Sequence, residues 1–193
     1  MLGYIAFADR LSTFVGKLFA WTIVGLTGVV CYEVFMRYGA GRPTTWAYDV
    51  GYMLYGAGFI MAGAYALSRN AHVRADVFYR RWQPRNQARL DLVLYFLFFF
   101  PGMLAFVYSG WNFAEMSMRF NERSSFSPSG PVLWPFKMMI PLTGLILLIQ
   151  GIAEVFRCVI AIRENRWPLR ANDVEELEQQ LAEQAAAGKV EIR

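Results

Sequence analysis

The stretch ALSRNAHVRADVFYRRWQPRNQARLD (Ala66–Asp91) lies between two long apolar segments and contains the only histidine of the chain, His72. Basic segments beside apolar runs are typical of the cytoplasmic loops of membrane proteins, because positively charged loops are retained on the cytoplasmic side. The stretch therefore predicts a cytoplasmic connection between two membrane spans. Its six arginines are Arg69, Arg74, Arg80, Arg81, Arg85 and Arg89.

The composition on either side of this stretch is that of a membrane protein. Hydrophobic residues make up 56% of the 193 residues, which exceeds the roughly 45–50% that is usual for soluble domains. Four segments are long and apolar enough to cross a bilayer, which takes about 20 residues, and no alternating strand pattern competes with them. The sequence predicts an all-α integral membrane protein with four transmembrane helices, over Leu18–Met36, Trp46–Leu67, Leu92–Ala114 and Val132–Ala161.

The distribution of arginines also predicts the orientation of the chain. The segment after the fourth apolar run adds Arg163, Arg166 and Arg170, whereas the first and third loops carry fewer basic residues. By the positive-inside rule, the N and C termini are both expected in the cytoplasm.

The predicted domains are a four-helix membrane domain over residues 1–165 and a soluble, acidic cytoplasmic tail over residues 166–193. We interpret the first residues as an amphipathic lead-in to the first span, because Asp9 and Arg10 interrupt the apolar core that a removed signal peptide needs. In the tail, Asn172 can cap a short helix, which is either a solvated element or a contact for a cytoplasmic partner.

Several classes of function are disfavoured by the residues present. The net charge of +4 is modest and its basic residues sit beside apolar runs, so we expect no nucleic-acid partner. A single histidine and the separated cysteines Cys31 and Cys158 make no metal or haem site, and no nucleophile arrangement is recognisable. We therefore predict no enzyme activity, no cofactor and no metal.

Charged residues fall near the predicted ends of the spans. Glu33 and Arg37 are four residues apart on one helix face, and Glu115 and Arg119 repeat that spacing. No carboxylate is predicted in the middle of a span. These groups are either an interfacial belt of ion pairs that fixes the helix ends or a polar rim that meets another protein.

Other features bear on helix packing and on contacts with partners. Pro101 and Pro141 can kink their helices. The aromatic run Tyr95–Phe100 suits either lipid or a large membrane partner. The third loop, rich in proline and serine, is predicted to be a non-helical turn region, as a plain connector or a docking site. Small residues that permit close helix approach are concentrated in the second span, at Gly51, Gly56, Gly58, Ala62 and Gly63.

Three stretches taken together resemble a known family. They are VFMRYGAGRPTTWAYDV (Val34–Val50), GAYALSRNAHVRADVFYRR (Gly63–Arg81) and GPVLWPFKMMIPLTGLILLIQGIAEVFR (Gly130–Arg157). The chain resembles the small membrane subunit (DctQ-like) of the tripartite ATP-independent periplasmic (TRAP) transporters, over roughly residues 10–165. One departure is Asp49, where glutamate is the commoner acid.

The resemblance implies a role as a non-catalytic small permease subunit in the bacterial inner membrane. It implies a large membrane subunit (DctM-like) as a partner, which carries the substrate in a secondary, sodium-coupled process, and a periplasmic substrate-binding protein that delivers an anionic, carboxylate-type substrate. The small subunit would scaffold the large one among membrane lipids.

Two alternatives to this function remain open. The first is a self-sufficient, homo-oligomeric small carrier or channel. The second is a membrane enzyme or quinone-interacting subunit.

The candidate site residues are all interaction residues. They fall in the first and third loops, where they would meet a partner, and in the cytoplasmic stretch, where Asp76 and His72 would act as cap and hydrogen-bonding residues. The predicted set is Arg37, Arg42, Trp46 and Asp49; His72, Arg74 and Asp76; and Trp134, Lys137 and Pro141.

Overall fold

The computed structural model describes residues 1–70, 79, 81–127, 130–168 and 170. Within this part, all regular structure is helical apart from one isolated bridge between Arg123 and Val132. Four helices are long and apolar enough to cross a membrane, which confirms the predicted architecture. They are span 1 (Leu2–Gly39), span 2 (Ala47–Ser68), span 3 (Pro84–Arg119) and span 4 (Trp134–Glu164).

Two spans are longer than the sequence predicted. Span 1 begins at Leu2 and not near Leu18, so the expected lead-in is part of one continuous helix. The predicted boundary was wrong because it was drawn at charged residues, whereas Asp9 is paired with Arg157 of span 4 and is accommodated within the helix. Span 3 likewise extends at both ends, where its polar residues continue the helix beyond the apolar core.

Spans 1 and 3 each contain a wider, π-helical turn. In span 3 the turn precedes Pro101, which has no N–H to donate and would crowd the carbonyl four residues earlier. The wide turn shifts the backbone hydrogen bonds of the helix so that the Phe100 N–H donates to the Tyr95 carbonyl. The helix then continues through the proline. Span 1 is α-helical over Leu2–Val34 and π-helical over Phe35–Gly39; span 3 is α-helical over Pro84–Leu94, π-helical over Tyr95–Phe99 and α-helical over Phe100–Arg119.

Each span is followed by a residue with left-handed backbone. Gly41 follows span 1 with φ of +64°, and asparagines follow the other three spans, at positions 70, 121 and 165. Glycine and asparagine adopt this conformation at lower cost than other residues, which is why they terminate helices. These positions mark where the three loops and the segment after span 4 begin.

Span 4 is the central helix of the fold. In its most apolar stretch 44% of residues are buried, against 6% in span 3 and 11% in span 1. Spans 1 and 2 pack on each other and on one side of span 4, while span 3 packs mainly on span 4 alone. The arrangement therefore leaves wide apolar faces of spans 1 and 3 exposed for lipid or for another membrane protein.

Glycines set the closest helix contacts, as predicted for span 2. A Cβ on Gly58 would overlap the Thr22 hydroxyl of span 1, and one on Gly56 would lie 2.6 Å from the Phe136 ring. Gly110 of span 3 meets Pro141 of span 4 in the same way, since an added Cβ would come within 3.3 Å of the proline nitrogen. The helices can approach this closely only where a side chain is missing.

Candidate functional site

Charged residues collect at the two ends of the helix bundle. The loop end comprises the loops at residues 40–46 and 120–133 with the helix termini beside them. The terminal end comprises the start of span 1, the described residues of the segment 69–83 and residues 165–170. The loop end holds most of the predicted site residues.

The Glu33–Arg37 pair joins span 1 to the first loop. Arg37 Nη2 lies 2.6 Å from Glu33 Oε1, which confirms the predicted pairing along one helix face. The second carboxylate oxygen of Glu33 accepts a hydrogen bond from the Thr44 N–H at 3.0 Å and another from the Thr44 hydroxyl. Both carboxylate oxygens of Glu33 thus accept hydrogen bonds from residues of the chain, whereas the side chain of Arg37 is exposed.

Asp49 joins span 2 to the third loop. Its side chain is buried, with 3% of its surface exposed. The carboxylate accepts hydrogen bonds from the Ser124 hydroxyl and, at 2.5 Å, from the Ser127 hydroxyl. The serine-rich loop predicted to be non-helical is therefore held against span 2 by an aspartate that faces inward.

Lys137 joins the start of span 4 to the third loop. Its ammonium group lies 2.5 Å from Glu122 Oε2 and 3.9 Å from the centre of the Phe113 ring of span 3. Hydrogen bonding from Lys137 holds the pKa of Glu122 below its ordinary value of 4.5. Pro141, one turn further along span 4, is buried against Gly110.

The remaining predicted residues of the loop end are exposed. Arg42 lies in the first loop, and Trp46 stacks on Tyr32 with ring centres 5.9 Å apart. Trp134, at the start of span 4, has 36% of its surface exposed. The predicted residues of the cytoplasmic stretch lie outside the described residues, so their arrangement stays a prediction. They are His72, Arg74 and Asp76.

The terminal end holds a buried charged network that the sequence did not predict. Arg157 of span 4 is 2% exposed, and its guanidinium contacts Asp9 Oδ2 at 2.5 Å and Glu154 Oε1. Gln150, one helical turn before Glu154, donates a hydrogen bond to Asp9 Oδ1 at 3.0 Å and accepts one from the Ser12 hydroxyl at 2.8 Å. Charges that are buried between helices each require a partner of opposite sign. In this network Asp9, Glu154 and Arg157 each have one.

Arg170 completes this network from beyond the end of span 4. It contacts Glu154 Oε2 at 2.7 Å and donates to the Ser68 carbonyl at the end of span 2, at 3.0 Å. Nearby, the Trp167 indole donates to Gln87 Oε1 of span 3 at 2.9 Å. The described residues of 165–170, which we call the strap, therefore tie the end of span 4 to spans 2 and 3.

A spacing signal for this network was present in the sequence. Gln150, Glu154 and Arg157 recur at four and three residues on one face of an otherwise apolar helix. The sequence placed Glu154 and Arg157 near the end of the fourth span and did not predict that they are buried among helices. Their partners Asp9 and Arg170 lie at opposite ends of the chain, and no local pattern could reveal them.

The comparison with known protein families identifies the chain. Residues 26–161, well over half of its length, match the family described as "Tripartite ATP-independent periplasmic transporters, DctQ component". The chain belongs to this family. Among curated proteins, no sequence match is found. The resemblance drawn from the three sequence stretches is thereby confirmed.

Membership in the DctQ family gives the coarse function. The chain is a small membrane component of a TRAP transporter, and its four apolar helices make it a multi-pass membrane protein. Components of this family work with a large membrane subunit and a binding protein, and the family is one of transporter components and not of known enzymes.

Proposed function

We propose that this DctQ-family chain is a non-catalytic scaffold for the large (DctM-like) membrane subunit. It would sit in the bacterial inner membrane with both termini in the cytoplasm, as the arginines of the second loop suggest. The complex would carry out secondary, sodium-coupled uptake of an anionic, carboxylate-type substrate delivered by a periplasmic binding protein.

One observation carries the scaffold proposal. Every carboxylate in the described part of the chain is bonded to another residue of the chain, including the buried Asp9, Asp49 and Glu154. Carriers that couple transport to protons keep an intramembrane acid available for the proton, and sodium-coupled carriers bind the ion at helices that are unwound near the middle of the membrane. Carboxylates already used to join helices and loops support a static component in which the large subunit supplies the moving site.

We further propose that the loop end is the side that meets the partners. The exposed residues Arg42, Trp46 and Trp134 would make direct contacts, since arginine and tryptophan are enriched where interfaces gain most of their energy, and Arg37 would lie at the margin of this surface. The less exposed residues Asp49, Lys137 and Pro141 would act indirectly, by fixing the two loops. At the other end, His72, Arg74 and Asp76 would anchor the cytoplasmic connection.

Reconstituted uptake tests this function and separates it from its alternative. Proteoliposomes that hold the large subunit, this chain and the binding protein should take up substrate in a sodium gradient, whereas liposomes with this chain alone should give no flux. Flux from the chain alone would instead establish the self-sufficient carrier. Full uptake by the large subunit without this chain would remove the scaffold role.

Arg42→Glu tests the loop end as an interface. Uptake should fall while membrane insertion and the thermal stability of the chain stay unchanged. Arg119→Glu is the matched control, because Arg119 is equally exposed at the same end and lies outside the proposed set. Equal uptake by both variants and the wild type would show that Arg42 contacts no partner.

A further inference from the structure

A continuous groove runs between spans 1 and 2 on the exposed side of the bundle. Its upper part, next to the loop end, has a volume of about 460 Å³, and its lower part, which extends to Gly16, has about 370 Å³. Leu26 and Tyr55 line both parts, so the two adjoin each other. From Arg37 to Gly16, the rise of span 1 makes the groove roughly 30 Å long.

The upper margin of the groove offers unused hydrogen-bond donors. Arg37 directs Nε and Nη2 at Glu33, and its Nη1 bonds no residue that the structure describes. The Glu33 carboxylate is already satisfied by Arg37 and Thr44. The unused group at this margin is therefore Nη1 of Arg37. It is a cationic hydrogen-bond donor, which suits an anionic oxygen such as that of a phosphate.

Tyrosines extend this polar margin down one wall. Tyr48, Tyr52 and Tyr55 recur on one face of span 2 and line the upper groove. Their side chains are exposed, and within the described residues none of their hydroxyls has a hydrogen-bond partner. Tyr55 lies roughly 12 Å below the start of span 2 by helix rise, at a depth where water is scarce and its hydroxyl needs an acceptor.

The lower groove is apolar by contrast. Most of its lining is apolar, including Phe19, Ile23, Leu54 and Phe59, and its one threonine, Thr22, already donates to the Phe19 carbonyl. Its two tyrosines are Tyr55, which it shares with the upper part, and Tyr65. Polar donors at one end and an apolar channel at the other match an amphiphilic molecule. A helix of a partner protein would place apolar side chains along the whole length and leave the Arg37 donor unmatched.

We propose that this groove binds one phospholipid, with its phosphate at Arg37, its ester oxygens near the tyrosines and an acyl chain in the lower part. The site depends only on this chain and does not rest on the proposed scaffold role. Its failure would therefore leave that role untouched.

Native mass spectrometry of the full chain tests the proposal. The chain is reconstituted with vesicles of phosphatidylethanolamine and phosphatidylglycerol, extracted in mild detergent and examined for retained lipid. The wild type should hold one phospholipid, and Arg37→Gln should weaken retention about tenfold, as expected for loss of a charge-assisted hydrogen bond. Arg119→Gln is the control, because it breaks an equivalent ion pair that lines neither part of the groove.

A second pair of variants tests the channel itself. Val30→Trp should fill the upper groove and abolish retention, whereas Val24→Trp, similarly exposed on the same helix but outside the groove, should not. Diacylglycerol, which has no phosphate, should be retained equally by the wild type and by Arg37→Gln.

Three results would overturn the assignment. The first is a wild type that retains no phospholipid, and the second is equal retention by Arg37→Gln and Arg119→Gln. The third comes from a photoreactive residue at position 55 in the complex with the large subunit. Crosslinks to that subunit and none to lipid would show that a protein helix occupies the groove.

Discussion

The two ends of this small membrane subunit use the same residue types in opposite ways. At the loop end, Arg119 and Glu115 form an ion pair on one helix, with 74% and 33% of their side chains exposed. At the terminal end, Arg157 and Glu154 are both 2% exposed, and the network around them joins four separate segments of the chain.

Burial decides what each arrangement contributes. An exposed pair is screened by solvent and contributes about 0–1 kcal/mol, so the loop end can change its charges at little cost to folding. A buried network contributes little net stability while it is intact, but removing one member leaves an unpaired charge. The terminal end is therefore expected to be rigid, and the loop end to be free for recognition. Asp49, buried at the loop end, is the exception.

The strongest test of this contrast is Arg157→Leu. The substitution leaves Asp9 without its ion pair and Glu154 with Arg170 alone, and breaking such a buried pair costs about 3–5 kcal/mol. We expect a large fall in the temperature at which the chain aggregates in detergent, measured by size-exclusion chromatography after heating.

Two further variants control this experiment. Arg157→Lys retains the charge and should recover part of the stability. Arg119→Leu removes an arginine from the exposed pair and should change the stability by about 1 kcal/mol at most. Equal losses in Arg157→Leu and Arg119→Leu would contradict the distinction between the two ends.

Asp49→Ala tests the exception at the loop end. Hydrogen bonds to a charged group contribute about 1.5–3 kcal/mol, and the loss would be local, because the described residues that bond this carboxylate are two serines of the third loop. We expect faster trypsin cleavage after Arg123, with the bundle still folded. Glu115→Ala, at the same end, should leave cleavage unchanged; if it accelerates cleavage equally, Asp49 is not a specific anchor.

Apolar length and local spacing were enough to predict much of this molecule. They gave the four spans and the Glu33–Arg37 and Glu115–Arg119 pairs, because hydropathy and helix periodicity are local properties. The contact of Asp49 with the third loop and that of Asp9 with Arg157 join residues far apart in the chain, and no local pattern encodes them. For the same reason, the start of span 1 was predicted too late.

The strap allows a smaller test of the terminal end. Trp167→Phe keeps an aromatic ring but removes the hydrogen bond to Gln87, which should lower the stability by about 0.5–1.5 kcal/mol. The measurement is the same heating series. Trp21→Phe is the control, since Trp21 is 71% exposed on span 1 and should tolerate the change. An unchanged stability in Trp167→Phe would show that the hydrogen bond to Gln87 does not contribute to fastening span 4 to span 3.

The smallest expected effect is a dependence on pH at the loop end. Hydrogen bonding from Lys137 holds the pKa of Glu122 below its ordinary value of 4.5. A carboxyl group whose pKa is lowered by folding contributes stability that is present above pH 4.5 and is lost as the pH falls through the folded-state pKa. Glu122 is 42% exposed, so this contribution should be small and should weaken further in high salt.

Comparison of Glu122→Gln with the wild type isolates this contribution from the other carboxylates. The wild type should be slightly the more stable at pH 7, and the difference should shrink below pH 4.5 and vanish once the pH is below the folded-state pKa of Glu122. In a Lys137→Met background the same substitution should have a smaller effect at pH 7, because only the hydrogen bond from Ser117 then still favours the charged form of Glu122. Stability curves that stay parallel down to low pH would mean that the charge of Glu122 in the Glu122–Lys137 pair does not contribute to folding.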